Sequence, residues 1–166
     1  MVELRVAGIR VELPMNTPVL LLKETDGPRY LPIWIGSVEA AAIANEQQGV
    51  HPDRPMTHDL LRDVIAALGA TVERVVITEM ATVTESGGQI YVAELVLRAA
   101  GSEEDIRISA RPSDGVALAL RAEAPIYAED AIVEEVGVEI PEEQEDEVEK
   151  FREFLDTISP DDFAGS

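Results

Sequence analysis

The stretch Asp105-Ile-Arg-Ile-Ser-Ala-Arg-Pro-Ser-Asp-Gly-Val-Ala-Leu-Ala-Leu-Arg-Ala-Glu123 changes period in its middle. Ile106 and Ile108 alternate with polar residues over 105–111, which is a strand pattern, and Pro112 then breaks the alternation. After it, Ser113 reads as a helix cap and 113–123 as a helix. The core of that helix, Val116-Ala-Leu-Ala-Leu120, is apolar almost all round, so it belongs in an interior. Asp114 and Arg121 lie seven residues apart on one stripe of it, and burial obliges both charges to find partners.

Working outward, strand candidates at 71–80 and 90–98 precede this segment, with turns at Ser86-Gly87-Gly88 and Ala100-Gly101-Ser102. The chain opens in the same manner. Residues 2–13 alternate with an interruption at Gly8, and Val19 to Leu22 and Leu31 to Ile35 complete a three-strand meander around the turn Thr25-Asp26-Gly27-Pro28. Helices follow at 37–48, started by Ser37, and at 57–68, capped by Thr57. A short segment at 129–136 closes the body. The order of strands, helices, strands and helices gives an α+β domain with an antiparallel-rich sheet and two βββα-type halves. An internal duplication stays open; in its favour, each half reaches a helix through an Arg-Pro step, Arg54-Pro55 and Arg111-Pro112, with a hydroxyl at the expected cap and an Asp in the first turn.

The chain has 166 residues, with 33 acidic and 13 basic side chains and a formal charge of −20. Residues 1–138 hold 22 acids and 11 bases, net −11, and 139–166 hold 11 acids and two bases, net −9. The expected division is therefore a folded domain over 1–138 and an acidic tail over 139–166. In the tail Val148, Phe151, Leu155 and Ile158 form one apolar stripe on an acidic amphipathic helix that opens at Pro141, and the end from Asp161 to Ser166 is expected to be disordered. The stripe suits docking on its own domain or a sister subunit; the functional alternative is a polyanionic flap or a partner-binding helix. The chain contains no Cys, which excludes disulfides, zinc–thiolate sites and thiol nucleophiles. No apolar run approaches a membrane span and no signal-peptide block opens the chain, so the expectation is a cytoplasmic protein without membrane contact.

Several side chains could carry chemistry. On a helical wheel Leu60, Leu61, Val64, Ile65 and Leu68 cluster on one side of the second helix, Asp59 lies nearly opposite, and His58 sits at the rim. His58 beside Asp59, with Arg54 upstream, forms an acid–base and anion-binding candidate; a capping or surface role is the plainer alternative. For Asp114 and Arg121 the plainer alternative is a buried ionic network joining the halves. Glu39 and Glu46 recur on one side of the first helix, and Glu39 with Asp59 and Asp114 offers oxygen ligands suited to Mg²⁺ or Mn²⁺, although the spacing does not demand a metal. No phosphate-cradling loop, dinucleotide fingerprint, zinc-protease motif or nucleophile elbow is present, and the basic residues form no stripe of a standard nucleic-acid module.

In order along the chain, Leu31-Pro-Ile-Trp-Ile-Gly36, Glu39-Ala40, Arg54-Pro-Met-Thr-His-Asp-Leu60, Leu68-Gly69, Tyr91-Val-Ala-Glu-Leu95, Ala110-Arg-Pro-Ser-Asp114, Ala117-Leu-Ala119 and Pro125-Ile-Tyr127 resemble the bifunctional nuclease domain family, over about residues 1–138. The resemblance implies an α+β fold, an oligomer with a dimer favoured, and nuclease activity on RNA and DNA. It also implies a site built from Glu39, Arg54, Thr57, His58, Asp59, Arg111, Ser113, Asp114 and Arg121. Chemistry then assigns Glu39, His58, Asp59 and Asp114 to catalysis, and Arg54, Thr57, Arg111, Ser113 and Arg121 to substrate binding. Ser109 stands where the family commonly has an acid, and Ile90 where it has an aromatic. The competing function is a non-enzymatic oligomeric module that binds a small anion or a protein partner.

Overall fold

A computed structural model describes residues 1–141 except positions 84 and 86. The acidic helix expected beyond Pro141 lies outside the described residues. Two three-strand meanders make up most of the sheet: β1 (Val2–Glu12), β2 (Thr17–Glu24) and β3 (Arg29–Trp34), then β4 (Ala70–Thr82), β5 (Gln89–Ala99) and β6 (Asp105–Ala110). Between the meanders run α1 (Ser37–Gln47) and α2 (Thr57–Ala67); after them come α3 (Pro112–Ala122), β7 (Ile126–Ala128), α4 (Asp130–Val136) and β8 (Val138–Glu139). The strands form one sheet in the order β6-β5-β4-β7-β1-β2-β3-β8, antiparallel except for the β4–β7 pair. The α+β expectation holds, and the register break expected near Gly8 is a shift between Val6 and Gly8 where β1 pairs with β2.

Sequence reading missed β7 and β8, whose three and two residues are too short to show a period. Yet β7 joins the halves, pairing with β1 on one side and β4 on the other. Element order also qualifies the Arg-Pro parallel. The helix that follows β6 directly is α3, and the helix that follows β3 directly is α1. The counterpart of α3 is thus α1, and the Arg54-Pro55 step introduces the additional helix α2.

The core lies between the sheet and α3, which is buried from Gly115 to Ala119 and packs against α1, α2, β4 and β5. Small residues on α3 permit this approach: a Cβ at position 115 would sit 2.8 Å from Val75 Cγ1. Leu118, Val116, Leu20, Leu22 and Ile77 are almost wholly enclosed there. On the opposite face Val19, Leu21 and Tyr30 form a second cluster with Ala7 and Ile140 against it. At the β2–β3 turn the buried Glu24 carboxylate accepts hydrogen bonds from Arg29 Nη2 at 2.8 Å and Arg29 Nε at 3.1 Å.

Two local features depart from the usual pattern of helix caps and amphipathic faces. Ser37, Thr57 and Ser113 do not cap their helices: the N-caps are Gly36, Met56 and Arg111, without side-chain cap bonds. The N3 acids Glu39, Asp59 and Asp114 answer the first-turn donors and dipoles instead. The apolar stripe of α2 does not enter the core either. Only His58 and Ile65 of α2 are buried, while Leu60, Leu61 and Val64 face outward, followed by Leu68 just past the helix end. With α3 already filling the space over β4 and β5, α2 turns its polar first turn inward.

Candidate functional site

Each of the three long helices carries an acid three residues after its N-cap, and the helix packing brings these acids close to two arginines and a histidine. In the first cluster Arg111 donates from Nε to Asp114 Oδ2 at 2.7 Å and from Nη2 to Glu39 Oε1 at 2.8 Å. His58 Nε2 lies 2.9 Å from Asp114 Oδ1. An ionised carboxylate only accepts, so the shared proton belongs to His58 Nε2, and in the neutral ring Nδ1 is the basic nitrogen. In the second cluster Arg121 Nε donates to Asp59 Oδ1 at 2.6 Å, with further bonds to the carbonyls of Ala117 (2.8 Å) and Ala42 (3.0 Å). Asp59 Oδ2 also accepts the Met56 backbone N–H at 2.9 Å. Arg121 thereby ties α1, α2 and α3 into one layer.

The two arginines sit in different solvents. The Arg121 side chain is 5% exposed and that of Arg111 is 65% exposed. Burial would raise the Asp114 carboxyl, but hydrogen bonds from Arg111 and His58 outweigh it and hold the group below its ordinary value. Asp59 behaves likewise, its desolvation outweighed by the Met56 N–H and by Arg121. Glu39 is lowered first by its own backbone N–H and then by Arg111. Arg111 is raised, chiefly by hydrogen bonds to Asp114 and Glu39. All three acids are therefore ionised at neutral pH.

Two cavities flank the clusters. The larger, about 950 Å³, lies between the end of β3, the β4–β5 hairpin and the start of α3, and is lined by Trp34, Met80, Tyr91, Arg111 and Ser113 among others. The smaller, about 310 Å³, is lined by Thr57, His58, Asp59 and Arg121. The structure thus brings together Glu39, His58, Arg111 and Asp114 in one cluster and Asp59 with Arg121 in the other. Thr57 and Ser113 line cavities, Ser113 being itself buried. Arg54 joins neither cluster: it is exposed in the loop before α2 and bonds to no described residue. Trp34 and Tyr91 were not singled out as site residues, although both stand in stretches that carry the family resemblance.

The carboxylates that could serve a divalent ion are each engaged by an arginine. Among the described residues no group of three or more acid or histidine side chains is arranged to hold a metal ion. Among the same residues no helix is long and apolar enough to cross a membrane.

Comparison with known proteins bears on what this layer of helices is for. The chain is 54% identical over 170 residues to an uncharacterized protein of Mycobacterium tuberculosis, covering 97% of both chains. It is 27% identical over 123 residues to bifunctional nuclease 2 of Oryza sativa subsp. japonica and 29% identical over 118 residues to bifunctional nuclease 2 of Arabidopsis thaliana. Those alignments take in 73% and 69% of this chain but only 36% and 34% of the plant proteins, so the chain spans about a third of their length. The family model for the bifunctional nuclease domain matches residues 20–141, a span that holds both clusters and both cavities. With that match spanning residues 20–141 of the 166, the chain belongs to the bifunctional nuclease domain family.

Proposed function

We propose that the protein is a nuclease that hydrolyses phosphodiester bonds of RNA, DNA or both. The observation that carries this reading is the linked set His58, Asp114 and Arg111, with Arg111 opening onto the 950 Å³ groove. Arg111 binds a phosphate oxygen, exchanging one of its carboxylate partners for the ligand, and its planar fork suits that geometry. On the far side of Asp114, where it lines the smaller cavity, His58 is the group assigned to move the proton of the attacking or leaving oxygen, and Asp114 fixes its tautomer and orientation. Asp59 and Arg121 hold the first turn of α2, and so His58, in place. Glu39 positions Arg111. With each carboxylate held by an arginine, no step is routed through Mg²⁺ or Mn²⁺, and metal dependence is left to the assay.

A second reading, a non-enzymatic oligomeric module for a small anion or protein partner, is favoured by one observation: carboxylates already engage both cluster arginines. The experiment that separates the two is cleavage of labelled single- and double-stranded RNA and DNA by rigorously purified protein. It is run with EDTA and with added Mg²⁺ or Mn²⁺, beside Asp114→Asn. Cleavage that disappears in the folded variant supports the nuclease. Equal cleavage in both preparations, or none in either, removes it.

A further inference from the structure

The first turn of α3 keeps donors that its own side chains do not use. In α2 the N3 acid Asp59 closes on a backbone N–H at 2.9 Å, and in α1 Glu39 accepts its own N–H. Asp114 offsets the α3 dipole with its charge, but its two oxygens are held by Arg111 and His58. Pro112, at the first helical position, has no N–H to satisfy, and the Gly115 N–H already bonds the Arg111 carbonyl. The N–H groups of Ser113 and Asp114 are left, and no described residue accepts from either. Nor does any described residue bond the Ser113 hydroxyl, although Ser113 is only 6% exposed and lines the 950 Å³ groove. A buried hydroxyl and two backbone donors without acceptors, beside the Arg111 guanidinium in the same groove, form a set suited to phosphate oxygens.

Away from the helix start the groove changes character. Trp34 and Tyr91 line it, with Met80 and Ile90, and the Trp34 Nε1 bond to Glu12 fixes the indole while the residue stays 55% exposed. Such rings take the flat faces of nucleobases by stacking, and a mainly apolar lining with a few polar groups is usual for a small-molecule site of this size. We infer that the groove is a nucleoside monophosphate site, with the phosphate on Ser113 Oγ, the Ser113 and Asp114 N–H groups and Arg111, and the base against Trp34 and Tyr91. A site of this kind deepens the nuclease reading, on which it rests for Arg111 as the phosphate contact. It names the unit that is read as one unpaired nucleotide, because a paired base keeps its faces inside the stack and offers none to a ring. Glu39 and Asp114 share the charge of Arg111, so Coulomb attraction does not select the ligand. Neutral donors fix the phosphate and the rings hold the base, which makes both ends of the nucleotide necessary.

Isothermal titration calorimetry of the full chain tests the site with 5′-AMP, 3′-AMP, adenosine and inorganic phosphate as separate probes. One AMP isomer or both should bind at least about tenfold more tightly than adenosine or phosphate. Ser113→Ala, which removes only a hydroxyl, should weaken that binding about tenfold, and Trp34→Leu at least about fivefold. Circular dichroism checks that both variants are folded, and the four probes on the wild-type chain decide without them if one is not. No binding of either isomer overturns the inference. So does adenosine or phosphate that binds as tightly as AMP, or an AMP affinity unchanged in folded Ser113→Ala. A chain that cleaves nucleic acid but does not bind AMP removes this site and leaves the nuclease; one that binds AMP but does not cleave does the reverse.

Discussion

His58 Nε2 and Asp114 Oδ1 lie 2.9 Å apart, although 56 residues separate them in the chain. The bond spans from the first turn of α2 to the first turn of α3, and the His58 residue is only 7% exposed. A histidine so placed has one nitrogen committed to the carboxylate and one left to exchange protons. If the proposed roles hold, His58→Ala and Asp114→Asn each lower cleavage by on the order of a hundredfold or more. Single-turnover assays on folded protein check this, and an unchanged rate in either variant removes that residue from the mechanism.

Arg111 and Arg121 should respond oppositely to truncation. Arg111→Ala removes an exposed guanidinium, so its stability cost is at most about 1 kcal/mol, while affinity for an oligonucleotide falls. Arg121→Ala leaves Asp59 and Glu46 without their buried cation and costs about 3 kcal/mol or more. Urea unfolding of both variants measures the contrast. Equal losses would mean that solvent exposure does not distinguish the two pairs.

The acids set an acid limit. Glu39, Asp59 and Asp114 have folded-state values below their ordinary ones, so each binds protons more readily in the unfolded chain. Their contribution is fully present above the ordinary carboxylate range and is lost as pH falls from there through the lowered folded values. Stability should therefore drop steeply below about pH 4, and Asp59→Asn, already weaker at neutral pH, should show a shallower drop. Urea midpoints measured from pH 7 to pH 3 test the sign; a parallel fall in wild type and variant would exclude a contribution from Asp59.

Much of this was legible in residue order. The period-2 runs announced six strands, and the all-apolar turn of α3 announced the buried helix. The Arg-Pro steps marked the clusters because the sequence places an N3 acid after each. The orientation of α2 was not legible, since a stripe of Leu60, Leu61, Val64 and Leu68 looks the same whether it faces its own core or faces outward. Competition from α3 decides that question, and it appears only in three dimensions. Arg54 shared a motif with His58 yet stays in the loop, because a backbone step that launches a helix does not fix where the preceding side chain points. The cavity wall formed by Trp34 and Tyr91 joins strands from both halves, a pairing that no local pattern encodes.

Trp34 makes the groove observable. It is the only tryptophan in the chain, its Nε1 donates to Glu12 Oε2 at 2.6 Å, and its side chain lines the cavity that Arg111 opens onto. A short single-stranded oligonucleotide entering the groove should change the intrinsic fluorescence, because bases stack on aromatic rings. Arg111→Ala should weaken the titration, and salt should weaken it in wild type. A signal insensitive to both would place binding elsewhere.

Truncation after Pro141 tests the acidic tail without touching β8 or Ile140, which pack on the body. It removes ten acids and two bases from 142–166, a net charge of −8. Should those charges screen the groove, oligonucleotide affinity rises on truncation. The gain should be largest at low salt and shrink as the screening length falls below the distance between tail and groove. An apolar tail stripe that instead covers part of the body would register as a lower melting temperature with unchanged affinity. Trp34 fluorescence titrations at two salt concentrations, paired with thermal melts of both chains, separate the outcomes: higher affinity with an unchanged melt supports a screening tail, and the reverse pattern a packing one.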